Sequence, residues 1–490
     1  MTTAATLPIV IPLVAAAAAL LTYRSVTAQR VIGIIASAAV AMVALWLVFT
    51  VDDGGTIVVS VGEWVPPLGI ALVADRLAVL LLLTAAIALL AVLLYAVSQG
   101  ETDHDFRGFH AVYQMLAAGV GLALLTGDLF TLFVAFEIML TASYVLMTHR
   151  ADGEETRSTL TYVVIGLVAS ALLLTAIAIT YAVAGTVNLA DLSTKLDEVP
   201  DGLRAGLGWL LFLVFGIKAA IFPLFFWLPD SYPLAPTPVT ALFAGLLTKI
   251  GVYAIVRTQV LLFPSDGPAT FMLVIAGLTM VVGVLGAIAQ KDIKRILSFH
   301  IVSQIGYMIM GLAFFTVAGI AAAIVFIVHQ IIIKASLFLV GGMVEESEGT
   351  GAIDAVSGVA RRTPLIGVLF LPAALSLAGF PPLSGFVGKL ALVEAGVDIE
   401  AWGIVAVSLF ASVLTLFSMT KIWGGVFLGK AAEDAPRRLA PGMSWATAGM
   451  LAVSLVIALG AEPLIQYAER AAADLVDPVT YRNWVLGVRG

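Results

Sequence analysis

Ionisable side chains occur in the middle of stretches of this sequence that are otherwise apolar. The set consists of Glu137, Lys218, Lys249, His329, Lys334 and Lys389. Placing one charge at the centre of a membrane-spanning helix costs roughly 2.5–3.5 kcal/mol, even on the most favourable insertion scale. The four lysines and the glutamate together would use up a large share of the stability of a typical protein. We infer that these residues serve a function.

The chemistry that suits such a set is proton transfer. Burial penalises the charged form of an amine and neighbouring like charges add to that penalty, so buried lysines can exchange protons near neutral pH. Glu137 favours the charged form of whichever lysine it approaches, which predicts that this pair is a gate. For any single lysine, a role in tying two helices together or a side chain reaching for the headgroups is an equally good interpretation. For the whole set a proton relay is favoured, because one carboxylate cannot neutralise four lysines.

The stretches around these residues predict a polytopic helical membrane protein. Of the 490 residues, 61% are hydrophobic and only 12% are charged, and the charges concentrate in short connections. A helix of about 20 apolar residues spans a bilayer and satisfies its own backbone hydrogen bonds. Fourteen such spans are predicted near 5–23, 31–51, 72–97, 109–126, 129–148, 158–184, 207–227, 238–260, 270–289, 296–314, 317–344, 364–396, 401–428 and 443–465.

Two of the spans carry internal prolines that predict broken helices. Pro223 follows Lys218 in the seventh span, and Pro381 and Pro382 precede Lys389 in the twelfth. Each broken span is the fourth member of a group of five, spans four to eight and nine to thirteen, which predicts two inverted five-helix repeats. The chain accordingly divides into an N-terminal three-helix segment (1–108), two repeats (109–260 and 261–430) and a C-terminal helix with its tail (431–490).

The distribution of basic residues predicts the orientation in the cell membrane. Fourteen lysines and arginines lie in the odd-numbered connections, against six in the termini and the even-numbered connections, with Arg257 counted among the six. Arg76 is counted among the basic residues inside the third span, and Asp75 and Arg76 at the opening of that span are interpreted as a helix cap or an interfacial ion pair. Because basic residues are enriched on the cytoplasmic side, both termini are expected to face the exterior.

Several classes of protein and site are excluded by composition. The chain has no cysteine, which excludes disulfides, thiolate nucleophiles and cysteine-ligated clusters. It also lacks HExxH, histidine clusters and phosphate-binding loops, so we expect no metal, no cofactor and no enzymatic activity. A net charge of −7 argues against binding to nucleic acid.

Four motifs resemble the proton-pumping membrane subunits shared by Mrp-type sodium/proton antiporters, respiratory complex I and related hydrogenases. They are GIKAAIFPLFFWLPDSYPLAPTPVTALFAGLLTKIGVYAI (216–255), KDIKRILSFHIVSQIGYMIMGL (291–312), HQIIIKASLFLVGG (329–342) and LSLAGFPPLSGFVGK (375–389). The resemblance implies fourteen core helices in two inverted repeats and a Glu137–Lys218 pair. It also implies a connecting Lys249 and an axis through His329 and Lys334 to Lys389.

Two further stretches, 61–78 and 475–487, resemble the Mrp D subunit more than the N-type subunit of complex I. That resemblance implies a secondary transporter subunit that moves protons, with Na⁺ as a second candidate ion, in a complex with Mrp subunits of the A, B, C, E, F and G types. An N-type pump subunit of complex I or of a related hydrogenase is the alternative within transport. A passive scaffold with merely structural lysines is the alternative outside it.

Overall fold

The computed structural model describes residues 2–100, 106–148, 154–265, 267, 269–430 and 437–487. Helices dominate its first half, which also contains one short pair of strands. The elements are α1 (Leu7–Leu21), α2 (Val26–Gly54), β1 (Ile57–Ser60), β2 (Ala71–Ala74), α3 (Arg76–Gln99), α4 (Phe109–Leu125), α5 (Leu129–Thr148), α6 (Glu154–Ala184), α7 (Leu189–Lys195), α8 (Asp201–Ala219), α9 (Trp227–Ser231), α10 (Thr237–Leu242) and α11 (Thr248–Leu262). A π-helical turn, Phe243–Leu247, joins the last two.

The second half of the described chain is helical. Its elements are α12 (Thr270–Ala289), α13 (Ile293–Ala313), α14 (Val317–Glu348), α15 (Val359–Arg362), α16 (Pro364–Ala378), α17 (Ser384–Asp398), α18 (Trp402–Ile422), α19 (Pro441–Leu459), α20 (Ala461–Val476) and α21 (Pro478–Leu486). Another π-helical turn, Trp423–Phe427, follows α18.

Twelve helices within the described residues are long and apolar enough to cross a membrane. Two shorter apolar helices, α4 and α16, lie where the fourth and twelfth spans are predicted. The chain is therefore a polytopic helical protein, as its hydropathy indicates. The count of fourteen crossings and the inverted repeats stay predictions.

The sequence around residue 72 forms a structure that hydropathy did not predict. β1 and β2 pair antiparallel, with Ile57 opposite Ala74 and Ser60 opposite Ala71. The third predicted span, set at 72–97, is therefore wrong at its start, because residues 71–74 are strand and the helix begins only at Arg76. Short apolar runs of this kind suit a strand and a helix equally well.

Two interruptions lie next to the lysines singled out above. α8 ends at Ala219, and Ala220 has a left-handed backbone (φ 62°) before a run of turns leads into α9. α16 ends at Ala378, where Gly379 has φ +89°, a conformation that glycine adopts without steric cost. α17 begins again at Ser384, so Lys389 lies in the second turn after the interruption.

The helices that carry Lys249, His329 and Lys334 are the most deeply buried of the spans. In the spans formed by α10–α11 and by α14, every residue of the most apolar window is buried, whereas only 39% is buried in α12. An outer helix presents its remaining residues to lipid, which solvates apolar side chains well. The central spans are instead surrounded by protein, and this allows them to carry polar groups.

Candidate functional site

Glu137 and Lys218 lie close together but are joined through a third residue. The Nζ atom of Lys218 donates a hydrogen bond to the Ser170 hydroxyl (3.0 Å) and approaches the Gly166 carbonyl oxygen (3.4 Å). The Ser170 hydroxyl in turn donates to the Glu137 carboxylate. α5, α6 and α8 each contribute one member of this chain of hydrogen bonds. The predicted gate therefore contains a serine that sequence reasoning did not select.

Lys218 and Glu137, at the two ends of this series of hydrogen bonds, face different spaces. Lys218 lines a small cavity with Tyr162, Trp227 and Tyr232, which offers about 30 Å³ of room for water. One water molecule needs roughly 10–15 Å³ on this measure, so the cavity can hold one. Glu137 is only half-buried and lines a separate groove between α4 and α5. The carboxylate and the amine therefore border different spaces.

Lys249 sits at the start of α11, directly after the π-helical turn. Its Nζ atom donates to the Ala244 carbonyl oxygen at 2.5 Å, and its side chain is buried. Gly251, two residues on, packs against the backbone of α8, because a Cβ atom there would lie 2.7 Å from the amide nitrogen of Ala219. This close approach places the helix of Lys249 against the end of the helix that carries Lys218.

His329 and Lys334 are both fully buried in α14 and have different surroundings. The Nδ1 atom of His329 is 2.8 Å from the Ser384 hydroxyl, which also contacts the hydroxyls of Ser376 and Ser454. The Nζ atom of Lys334 has no hydrogen-bond partner within the described part of the chain. Five residues of helix separate the two by about 500° of rotation, so they face different neighbours.

Lys389 lies at the interruption between α16 and α17. Its Nζ atom donates to the carbonyl oxygen of Ala378 (3.0 Å) and sits 4.9 Å from the centre of the Tyr307 ring. A carbonyl at the end of a helix lacks an intrahelical partner and carries partial negative charge, so it stabilises a cation. The helix interruption thus supplies the ligand that holds this lysine.

The buried lysines in the second half of this series interact with one another by charge. Lys334 lies within electrostatic range of Lys249 and Lys389, and His329 within range of Lys389 and Lys334. Glu137 acts on Lys218 in the same way. Among the described residues, hydrogen bonds join only the first pair, through Ser170.

An ion pair that sequence reasoning missed lies near the start of α3. Arg257, assigned from sequence to an exposed connection, is only 2% exposed, so that assignment is wrong. Its guanidinium makes two hydrogen bonds to Asp75, at 2.5 and 2.9 Å, and lies between the rings of Tyr253 and Tyr481. Asp75 also caps α3 through the amide of Ala78. The partners are 182 residues apart, and no local signal connects them.

Arg76 is also placed differently from its prediction. It is the first residue of α3 and is partly exposed, with ion pairs to Asp52 (2.9 Å) and Asp474 (2.6 Å). The assignment of Arg76 to the inside of the third span is therefore wrong, whereas the interpretation of Asp75 and Arg76 as a helix cap and an ion pair at the start of the span agrees with the structure. The reason is that β2 shifts the start of the helix to this residue.

The part of the chain that contains the candidate site is similar to known proteins. A family model described as "NADH:quinone oxidoreductase/Mrp antiporter, TM" matches residues 126–415, the range that contains all six predicted site residues. The chain belongs to this family. A relative from Alkalihalophilus pseudofirmus, named as the D subunit of a Na⁺/H⁺ antiporter, is 41% identical over 98% of both chains. The resemblance inferred from the four motifs is confirmed.

Solved structures of the family have the same fold. A chain of the Mrp complex from a Dietzia species superposes with a TM-score of 0.94 at 34% identity, covering 99% of this chain and 100% of that one. A chain of respiratory complex I from Thermus thermophilus gives a TM-score of 0.81 at 24% identity, covering 97% of this chain and 99% of that one. The second likeness establishes shared fold alone.

Proposed function

We propose that this chain is the D-type, proton-translocating subunit of a multisubunit Na⁺/H⁺ antiporter of the cell membrane. The full-length similarity to proteins named as D subunits of Na⁺/H⁺ antiporters supports this assignment over the alternative of an N-type pump subunit, since the identity is 41% and 39% to those D subunits and 24% to a chain of respiratory complex I. Its partners would be Mrp subunits of the A, B, C, E, F and G types. Proton movement is its task, and it needs no cofactor.

The observation that carries the proton-relay proposal is the series of ionisable groups through the buried centre of the molecule. Glu137 and Lys218 would form the gate, Lys249 would connect the two halves, and the series would continue through His329 and Lys334 to Lys389, with all but Glu137 buried. Neighbouring lysines repel when both are protonated, and this repulsion is strong in a medium of low dielectric constant. A proton that arrives at one lysine therefore favours release from the next.

The chain organisation predicted from sequence belongs to this proposal. Residues 109–260 and 261–430 would be inverted repeats, with residues 1–108 and 431–490 flanking them. The interruptions after Ala219 and Ala378 would then open toward opposite faces of the membrane. Backbone groups freed at such breaks are tolerated in a bilayer only against protein or water, so these breaks favour hydrated access.

The function is tested at Lys389, the last member of the series. We expect Lys389→Met in the assembled complex to lower proton-coupled Na⁺ efflux by about 10²-fold or more, because the variant cannot accept a proton. Lys389→Glu keeps a titratable group and should retain part of the transport. The measurement is Na⁺-dependent proton efflux in inverted membrane vesicles, normalised to the amount of assembled complex.

Lys430→Met is the matched control, since this lysine is exposed in a connecting segment. It should transport like the parent. If the assembled Lys389→Met complex transported like the parent, Lys389 would have only a structural role. The relay would then have to end at another residue. If variants of Glu137 and Lys218 also transported like the parent, the chain would be a passive scaffold.

The proposed orientation, with both termini outside, has its own test. Ala355→Cys and Glu198→Cys introduce single thiols at exposed positions in connections that the orientation assigns to opposite faces, in a chain without native cysteine. An impermeant maleimide applied to intact cells should label position 198 and spare position 355. The reverse pattern would invert the orientation. Position 347 is unsuitable for this purpose because Ser347 is only 3% exposed.

A further inference from the structure

The Ser170 hydroxyl makes an unusual hydrogen bond for a hydroxyl in a helix. Serine and threonine side chains inside helices commonly bond to the carbonyl oxygen four residues earlier. On the same helix, Thr175 bonds to the Ala171 carbonyl and Thr180 to the Ala176 carbonyl, each at 2.8 Å. Ser170 instead donates to the Glu137 carboxylate, and the carbonyl that it would otherwise use, that of Gly166, faces Lys218.

This arrangement leaves the Ser170 oxygen free to accept a hydrogen bond while its proton is donated elsewhere. The acceptor side is occupied by the Nζ atom of Lys218 at 3.0 Å. A hydroxyl is one of the few groups that can donate and accept at the same time, and this allows it to pass a proton without carrying a lasting charge. The bonds are oriented from the amine, through the hydroxyl, to the carboxylate.

We propose that Ser170 is a proton-relay residue that connects Lys218 with Glu137. The proposal rests on the proposed gate function of that pair and adds a member to it. In the transfer, an N–H bond of the Lys218 ammonium breaks as its proton binds the Ser170 oxygen, and the Ser170 O–H bond breaks as its proton binds Glu137. The result is a neutral amine, an unchanged hydroxyl and a neutral carboxylic acid, with no oxidation or reduction.

The surroundings support a relay through this hydroxyl. Ser170 is 5% exposed, so its hydroxyl is shielded from bulk water, whereas Glu137 at one end of the bridge is half-buried. The cavity with room for water adjoins Lys218, and the groove adjoins Glu137. The cavity and the groove therefore adjoin opposite ends of the bridge, and Ser170 is the hydrogen-bonded connection between those ends in the described structure. If the donor and acceptor roles of the three groups were reversed, a proton would pass from Glu137 through Ser170 to Lys218.

Threonine and valine provide the decisive comparison because they have nearly the same shape and differ in the hydroxyl. In the complete complex, Ser170→Thr should keep most of the proton-coupled Na⁺ efflux. Ser170→Val should lower it by about 10²-fold, the scale expected when a positioned proton-transfer group is lost. The rate that remains in Ser170→Val should show an altered dependence on pH. Transport is measured in inverted vesicles with assembly quantified for each variant.

Thr180→Val is the matched control, because Thr180 is buried in the same helix and bonds only to its own backbone. It should leave transport at the parental level. Equal transport by assembled Ser170→Val and parent would overturn the relay role, and equally impaired Thr and Val variants would assign Ser170 to packing alone. If either of these results is found and Glu137→Gln is inactive, Glu137 and Lys218 still form the proposed gate, and Ser170 is not part of it. Normal transport by Glu137→Gln would overturn the gate itself.

Discussion

Replacing Glu137 with glutamine is expected to reduce proton-coupled Na⁺ efflux by at least about 10²-fold while the complex still assembles. Glutamine has the shape of glutamate and can still accept the hydrogen bond from Ser170. It cannot take up a proton, so the transfer from Lys218 has no destination. The same change removes the negative charge that favours the ammonium form of Lys218. Both effects act in the same direction, which is why this variant has the largest expected effect on transport.

The measurement is Na⁺-driven proton movement in inverted vesicles, together with quantification of the assembled complex. Glu198→Gln is a suitable control, because Glu198 is an exposed carboxylate in a connecting turn and should transport like the parent. An assembled Glu137→Gln complex with parental activity at every pH would exclude a proton gate at this position. The series from Lys249 to Lys389 would then need another source of protons.

The largest effect on stability is expected at the buried pair of Asp75 and Arg257. Arg257→Gln leaves the Asp75 carboxylate buried without its cation, a change that typically costs about 3–5 kcal/mol. Asp75→Asn combined with Arg257→Gln removes both charges, so the double variant should be more stable than Arg257→Gln alone. Thermal unfolding of the purified complex and the yield of assembled complex both report this difference.

An arginine–aspartate pair of similar geometry near the surface serves as the control. Arg470 pairs with Asp52 at 2.7 Å, and the arginine side chain is 45% exposed. Pairs of this type contribute about 0–1 kcal/mol, so Arg470→Gln should shift the unfolding midpoint little. Equal losses of stability in Arg257→Gln and Arg470→Gln would contradict the structural importance of the buried pair.

The spans could be predicted from sequence because hydropathy and helix length are local properties. The predicted spans 129–148 and 270–289 have the same bounds as α5 and α12. The buried lysines and Glu137 were equally visible, since a charge in an apolar run is conspicuous by itself. Their identification required no knowledge of the fold, although their functional role stays a proposal.

The features that sequence reasoning missed depend on contacts between distant segments. Asp75 and Arg257 each look like ordinary residues near a helix end, and only the folded structure, in which the Arg257 guanidinium reaches the residue before α3, reveals that they are partners. Ser170 is one of several hydroxyls in apolar helices, and its sequence neighbours do not distinguish it from Thr180. Its special position comes from the side chains on α5 and α8 that face it. Tertiary packing, which periodicity does not encode, decides both cases.

The close approach of Gly251 to α8 has a mechanical consequence. With so little space between the two backbones, α8 and α11 are in direct contact at Ala219, and a side chain larger than that of glycine would not fit at position 251. The relay proposed between Lys218 and Lys249 would therefore cross a tightly packed joint. At such a joint, rotation of the two lysine side chains is a smaller change than displacement of either helix.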